Sequence, residues 1–186
     1  MDDQSHDAVS KGVYAEQTVN SWIVTHPKRI WASARHNHEN LPPPEFYGMC
    51  GREGVMERTG ALQDVLIEGG ALLVMRGHHE EKPGENQLCF GVMVAEDYPQ
   101  DLLDGYELYH LPETQYVVFN CPTYANEAHG SVIQSIWNKQ REYKPEDYGL
   151  EWSYDAPIIE ADDQKNFGYT MWFPVKNRID GVKYDI

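Results

Sequence analysis

The sequence predicts an α+β fold made of two βαββ halves, and three observations carry that prediction. Short runs rich in β-branched and aromatic residues recur along the chain. One segment in the second half has a clear helical apolar stripe. Laid end to end, the elements read strand, helix, strand, strand, and then the same again. The offsets agree: "IWASARH" precedes "YVVFNCP" by about as much as "LLVMRG" precedes "PIIEAD" and "LCFGVMV" precedes "YTMWFPV". Few letters match between the halves, so the duplication is a matter of pattern.

Residues 1–17 are polar and charged without apolar periodicity, which predicts a mobile tail. The domain follows over 18–186, with repeat 1 at about 18–95 and repeat 2 at about 106–178. From Trp22 to His36 the composition predicts strand, with a break or an edge position at Pro27. Residues 40–68 begin on prolines suited to a helix start but carry glycines that weaken or split a helix. "ALLVMRGHH" and "QLCFGVMVAED" flank the turn residues Pro83, Gly84 and Asn86 and predict a hairpin. A polar, acidic connection leads to the strand "TQYVVFNC". The helix follows over 126–143: Val132, Ile133, Ile136 and Trp137 form its stripe, Asn126 can cap its start, and Lys139 and Arg141 suit its end. "APIIEAD" and "GYTMWFPVKN" complete the series as two strands joined by "DQKNF".

The chain has 186 residues, with 15 basic and 30 acidic side chains and a formal charge of -15. That balance repels phosphate backbones and anionic membranes and attracts cations, so direct nucleic-acid binding is not expected. Glu96, Asp97, Asp101, Asp104, Glu107 and Glu113 fall in one stretch free of lysine and arginine, which reads as a solvated acidic surface. Three widely spaced cysteines fit neither a disulfide framework nor a zinc motif and suggest a reducing, cytoplasmic setting. No apolar run approaches the roughly 20 residues a membrane span needs, and the N-terminus carries no signal-peptide pattern, so neither an anchor nor secretion is expected. The close pairs His36/His38 and His78/His79 lack further ligands at a recognised spacing, so no metal and no cofactor is expected. No motif places a Ser or Cys nucleophile on a strand-to-helix elbow.

Four stretches in the second half resemble the GyrI-like family of bacterial effector-binding domains, which includes the drug-sensing domains of transcription activators and stand-alone integron-cassette proteins. "YELYHLPETQYVVF" resembles the opening of that family's second repeat, "IQSIWNKQ" its amphipathic helix, "PIIEAD" the strand with its pocket glutamate, and "YTMWFPVKN" its closing strand. The resemblance covers 106–178 well and 18–95 through element order alone. It implies a pseudo-twofold pair of βαββ halves, as in SOUL and GyrI-like folds, around a pocket lined by aromatic rings and closed by a buried glutamate. Such a pocket suits flat, lipophilic cations, because an aromatic box offers cation–π attraction of about 0.5–2 kcal/mol per contact. A buried carboxylate without a partner is costly, which adds to a cation's advantage. The family often has tyrosine two residues after the glutamate; this chain has Asp162, which alternation would put on the same strand face as Glu160.

The resemblance makes Glu160 the first candidate for ligand binding, with Trp137, Trp152, Trp172, Tyr116 and Phe119 as candidate walls. From the residues alone, each aromatic could equally be core, and Glu160 could equally face solvent while Ile159 turns inward. Glu151 and Glu107 are alternative carboxylates that read more simply as solvated loop acids. Arg76 mirrors Glu160 in the first repeat and reads either as its counter-ion or as an exposed strand end. The leading expectation is a cytoplasmic protein that binds an aromatic, cationic small molecule. Two alternatives stand beside it: a hydrolase of strained electrophiles with Glu160 as general base, and an interaction protein that engages a regulator or DNA gyrase.

Overall fold

A computed structural model describes residues 16–60, 62, 72–75, 87–163 and 168–178. The strands are β1 (Asn20–His26), β2 (Arg29–His36), β3 (Leu72–Met75), β4 (Gln87–Ala95), β5 (Glu107–Leu111), β6 (Thr114–Cys121), β7 (Leu150–Trp152), β8 (Ile158–Asp163) and β9 (Gly168–Asn177). Three α-helices accompany them: α1 (Pro43–Arg52), α2 (Val55–Gly60) and α3 (His129–Glu142). The strands form one antiparallel sheet in the order β1-β6-β9-β8-β3-β4-β2-β5, and β7 pairs with the end of β9 that β8 leaves uncovered. The architecture is α+β, as expected. The central pair is β3 and β8, with Leu72 opposite Glu160.

Proline and glycine set the breaks. Pro27 ends β1, and β2 starts two residues later, next to last on the sheet path. Six strand spacings of about 4.8 Å would separate the two in a flat sheet, yet the chain from His26 to Arg29 reaches only about 11 Å. The sheet therefore curls, and one face turns inward. The inward face carries Trp31, Met93, Tyr116, Val118 and Ile159 as one buried cluster. The outward face carries Val117, Phe119, Met171 and Phe173, covered by Val132 and Ile136 of α3 and by Phe46 and Cys50 of α1. Each fully buried side chain of this size contributes roughly 1.5–3 kcal/mol. Two glycines allow close approach. A Cβ on Gly91 would lie 2.2 Å from the Ala32 carbonyl oxygen, opposite an irregularity between Ser33 and Arg35, and one on Gly168, at φ +83°, would lie 2.0 Å from that of Cys121.

The helical stretch after residue 40 is split, as its glycines suggest, by Gly54 at φ +67° into α1 and α2. Several other expectations change. Asn126 does not cap α3: a short 3₁₀ turn over Asn126–Ala128 precedes it, and Ala128 occupies the cap position without a side-chain bond. The acidic connection contains a strand, β5, which pairs with β2 and buries Leu111. The short strand β7 also falls in a stretch not expected to form one. Of the predicted tail, 1–15 lie outside the described residues, and the Gln17 amide donates to Ser135 Oγ at 3.0 Å. Arg76, His78, His79 and the turns over 80–86 and 164–167 also lie outside the described residues. Among the described residues no helix is long and apolar enough to cross a membrane.

Candidate functional site

The β8 strand puts Ile158, Glu160 and Asp162 on its outward face and Ile159 on the inward one, as a period of two requires. Ile158 thus stands beside the carboxylates, so the two isoleucines do not share a side. The helices α1 and α3 flank this strand, and between them opens a cavity of about 1100 Å³. Helix α1 supplies Pro43, Pro44 and Tyr47; α3 supplies His129, Ile133, Trp137 and Gln140. Phe90 of β4, Tyr169 of β9, Trp152 of β7 and the exposed Tyr154 complete the aromatic part of the wall. Helical spacing divides the α3 stripe: Val132 and Ile136 face the core, while Ile133 and Trp137 reach the cavity. No lysine or arginine lines the cavity among the described residues.

Glu160 is half-buried, its carboxylate enclosed by protein and open toward the cavity. The Tyr169 hydroxyl donates to Glu160 Oε2 at 2.6 Å. Burial raises the Glu160 pKa, and the bond from Tyr169 opposes that rise. Burial and the Glu160 charge push the Tyr47 and Tyr169 phenols well above the usual tyrosine range, so both stay protonated. Asp162 sits nearer the rim, where Tyr124 donates to Oδ1 at 2.9 Å and the same hydroxyl lies 2.9 Å from His129 Nδ1. His129 Nδ1 and Asp162 Oδ2 are 3.9 Å apart.

The candidate walls separate into three groups. Trp137 and Trp152 line the cavity, both held edge-on against Phe173 at centroid distances of 5.3 and 6.1 Å. Phe119 is fully buried beneath α3, in contact with Tyr143 and Phe173 and not with the cavity. Tyr116 and Trp172 lie on the inward face, packed edge-to-face at 5.9 Å, and the sheet separates them from Glu160. The reason is register: Ile159 pairs with Trp172 and Glu160 with Met171, so Trp172 follows Ile159 inward. The alternative carboxylates lie elsewhere. Glu151 is 3.9 Å from Lys176, and Glu107 accepts from Tyr109 at 2.7 Å and lies 3.1 Å from His36. Among the described residues no cluster of three metal-binding side chains occurs.

Sequence reasoning missed Tyr47, Phe90, Tyr154 and Tyr169. The signal for Tyr169 was present, since it stands two positions before Met171 and so shares its face. Tyr47 gave none, because helix α1 was blurred by glycines at 48 and 51.

Solved structures share this architecture. SAV2435, in a structure bound to tetraphenylphosphonium, aligns with a TM-score of 0.60 at 16% identity, over 84% of this chain and 94% of that one. A transcription regulation protein from Staphylococcus aureus MU50 aligns at 0.56 and 16% identity, over 85% and 99%. This chain has the GyrI-like fold. The integron cassette protein VCH_CASS2 of Vibrio cholerae aligns with a TM-score of 0.49 at 12% identity, over 85% of this chain and 95% of that one. Identities this low speak to the fold alone. No family model and no curated protein sequence matches the chain.

Proposed function

We propose that the protein binds flat, lipophilic, cationic small molecules in the cavity between α1 and α3, with Glu160 as the charge partner and Trp137, Trp152, Tyr47 and Tyr169 as walls. One observation carries the reading: a cavity of about 1100 Å³ presents aromatic rings and two carboxylates with no lysine or arginine among the described residues that line it. A lipophilic cation matches it on both counts, because stacking and cation–π contacts hold the rings while the cation relieves the desolvated carboxylate. The tetraphenylphosphonium bound to SAV2435 is likewise a lipophilic cation bearing aromatic rings, although its four rings stand tetrahedrally around phosphorus and not in one plane. The protein is a single ligand-binding unit on this reading, and broad selectivity follows, since ring stacking and one charge specify little.

Titration with tetraphenylphosphonium, followed by calorimetry and by tryptophan fluorescence, tests the assignment. Saturable 1:1 binding weakened tenfold or more in Glu160→Gln is the expected result, and unchanged affinity in that variant refutes it. The 2.6 Å contact between Tyr169 and Glu160 also supports a second reading, in which the carboxylate is a general base and the phenol a donor. Turnover of a strained electrophile that disappears in Glu160→Gln would establish that chemistry; absence of turnover with intact cation binding leaves the binding role alone.

A further inference from the structure

We infer that the Tyr47 hydroxyl is a second recognition element of the cavity, one that selects cations carrying a hydrogen-bond acceptor, such as a carbonyl oxygen, on or beside the cationic ring. This inference rests on the binding role proposed above and adds to it a neutral feature of the ligand. Three phenols stand around the two cavity acids, and two of them are engaged: Tyr169 donates to Glu160 and Tyr124 to Asp162. The third, Tyr47, makes no hydrogen bond among the described residues, although it lines the same cavity and feels the charge of Glu160. Its oxygen is not enclosed by protein, so it opens on the cavity. The Tyr47 ring is held edge-on by Phe90 at 6.0 Å and flanked by Phe46 at 6.4 Å, which fixes where the hydroxyl stands and leaves only its O–H bond free to turn. Burial, and then the charges of Glu160 and Asp162, keep the phenol protonated, so it is a donor wherever Glu160 is ionised. In the empty cavity water can satisfy this donor. A guest that presents only hydrocarbon to it expels that water and leaves a half-buried donor without a partner, which is the costly case. A guest with an oxygen acceptor takes the water's place while its cationic ring faces Glu160.

The probes are N-(1-naphthylmethyl)-3-acetylpyridinium and its 4-acetyl isomer, each paired with the isopropyl twin, which has the same charge and outline and no acceptor. Both isomers are used because their oxygens lie at different distances from the ring nitrogen. The acetyl group also draws charge from the ring, an effect common to every variant, so the readout is the acetyl-to-isopropyl affinity ratio compared between proteins. By calorimetry, for at least one isomer, that ratio should be about fivefold or more higher in wild type than in Tyr47→Phe, which keeps the ring and removes the donor. The isopropyl twin should bind Tyr47→Phe at least as tightly as wild type. Tyr169→Phe, whose hydroxyl is already given to Glu160, should keep the wild-type ratio within about twofold. A ratio unchanged in Tyr47→Phe for both isomers overturns the inference, and so does a ratio that collapses in Tyr169→Phe alone. In either case the binding role survives if the probes still bind and weaken in Glu160→Gln. Failure of all four probes and of tetraphenylphosphonium overturns the binding role together with this inference.

Discussion

Replacing Glu160 with glutamine should stabilise the empty protein at neutral pH. The wild-type carboxylate is enclosed by protein, its pKa is raised by burial, and no lysine or arginine lines the cavity among the described residues. A group whose folded pKa lies above its unfolded value binds its proton more tightly when folded. Stability is then fully present below the unfolded value, near 4.5, and is lost as pH rises through the folded one. Glutamine has no charge to desolvate, and its amide oxygen can still accept from the Tyr169 hydroxyl, now as a neutral bond weaker by about 1 kcal/mol. Relief of desolvation exceeds that loss because an enclosed carboxylate with no lysine or arginine beside it among the described residues costs several kcal/mol. The net gain is on the order of 1 kcal/mol, which for a chain of this size raises Tm by about 2–4 °C. Thermal melts of wild type and Glu160→Gln from pH 4 to pH 8 should coincide near pH 4 and diverge upward. A variant less stable than wild type at pH 7, or a gap that ignores pH, refutes the reasoning.

The other predictions concern the two faces of the sheet and its close contacts. Tetraphenylphosphonium affinity should fall as pH drops through the raised Glu160 pKa, since the protonated acid offers no charge, and calorimetry in buffers of different ionisation enthalpy should show proton release on binding below it. Trp137→Ala and Trp152→Ala should each weaken the same ligand by about 0.5–2 kcal/mol, roughly two- to thirtyfold. Trp172→Phe should lower the denaturation midpoint through its half-buried inward-face packing and leave affinity within about twofold, because the sheet separates it from the cavity. Gly168→Ala should cost at least about 3 kcal/mol, as its Cβ would fall 2.0 Å from a backbone oxygen at a φ unfavourable for alanine; a soluble, cooperatively melting variant within 1 kcal/mol of wild type would contradict this.

The fold class was legible because strands and the α3 stripe write their periods into the sequence. What the periods could not show was which strand faces a cavity and which a core. Trp172 illustrates the gap. As a tryptophan near an expected pocket it looked like a wall, but the register of β8 on β9 settles its direction, and that register depends on a turn outside the strands themselves. Glu160 was the reverse case, a charge breaking an apolar run, and such a break is conspicuous where an aromatic among aromatics is not. β5 was hidden because "ELYHL" is short and edge-placed, and its two leucines fall on opposite faces, Leu108 with Ala32 and Leu111 with the inward cluster, so no apolar alternation marks it. Tyr47 was hidden because the helix that holds it is fixed by burial of its Phe46 and by contacts of Tyr47 with Phe90 and Met49 with Arg35 more than by its own propensity.

The hydrogen bond from Tyr169 explains how one site can both keep a carboxylate in place and remain tolerant of its guests. A phosphonium or quaternary nitrogen has no proton to donate, so on binding it leaves the 2.6 Å bond from Tyr169 intact and interacts with an oriented carboxylate through field alone. That interaction varies slowly with distance, unlike a hydrogen bond, and imposes little geometry. Selectivity must then come from the shape of the ring box and from the Tyr47 hydroxyl. An amidinium guest, by contrast, would need the same carboxylate lone pairs that Tyr169 already engages, and would gain less from its donors than their number suggests. Removing the phenolic donor in Tyr169→Phe should therefore improve amidinium binding relative to phosphonium binding, and a ratio of the two affinities that stays constant in that variant would show that Tyr169 does not set it.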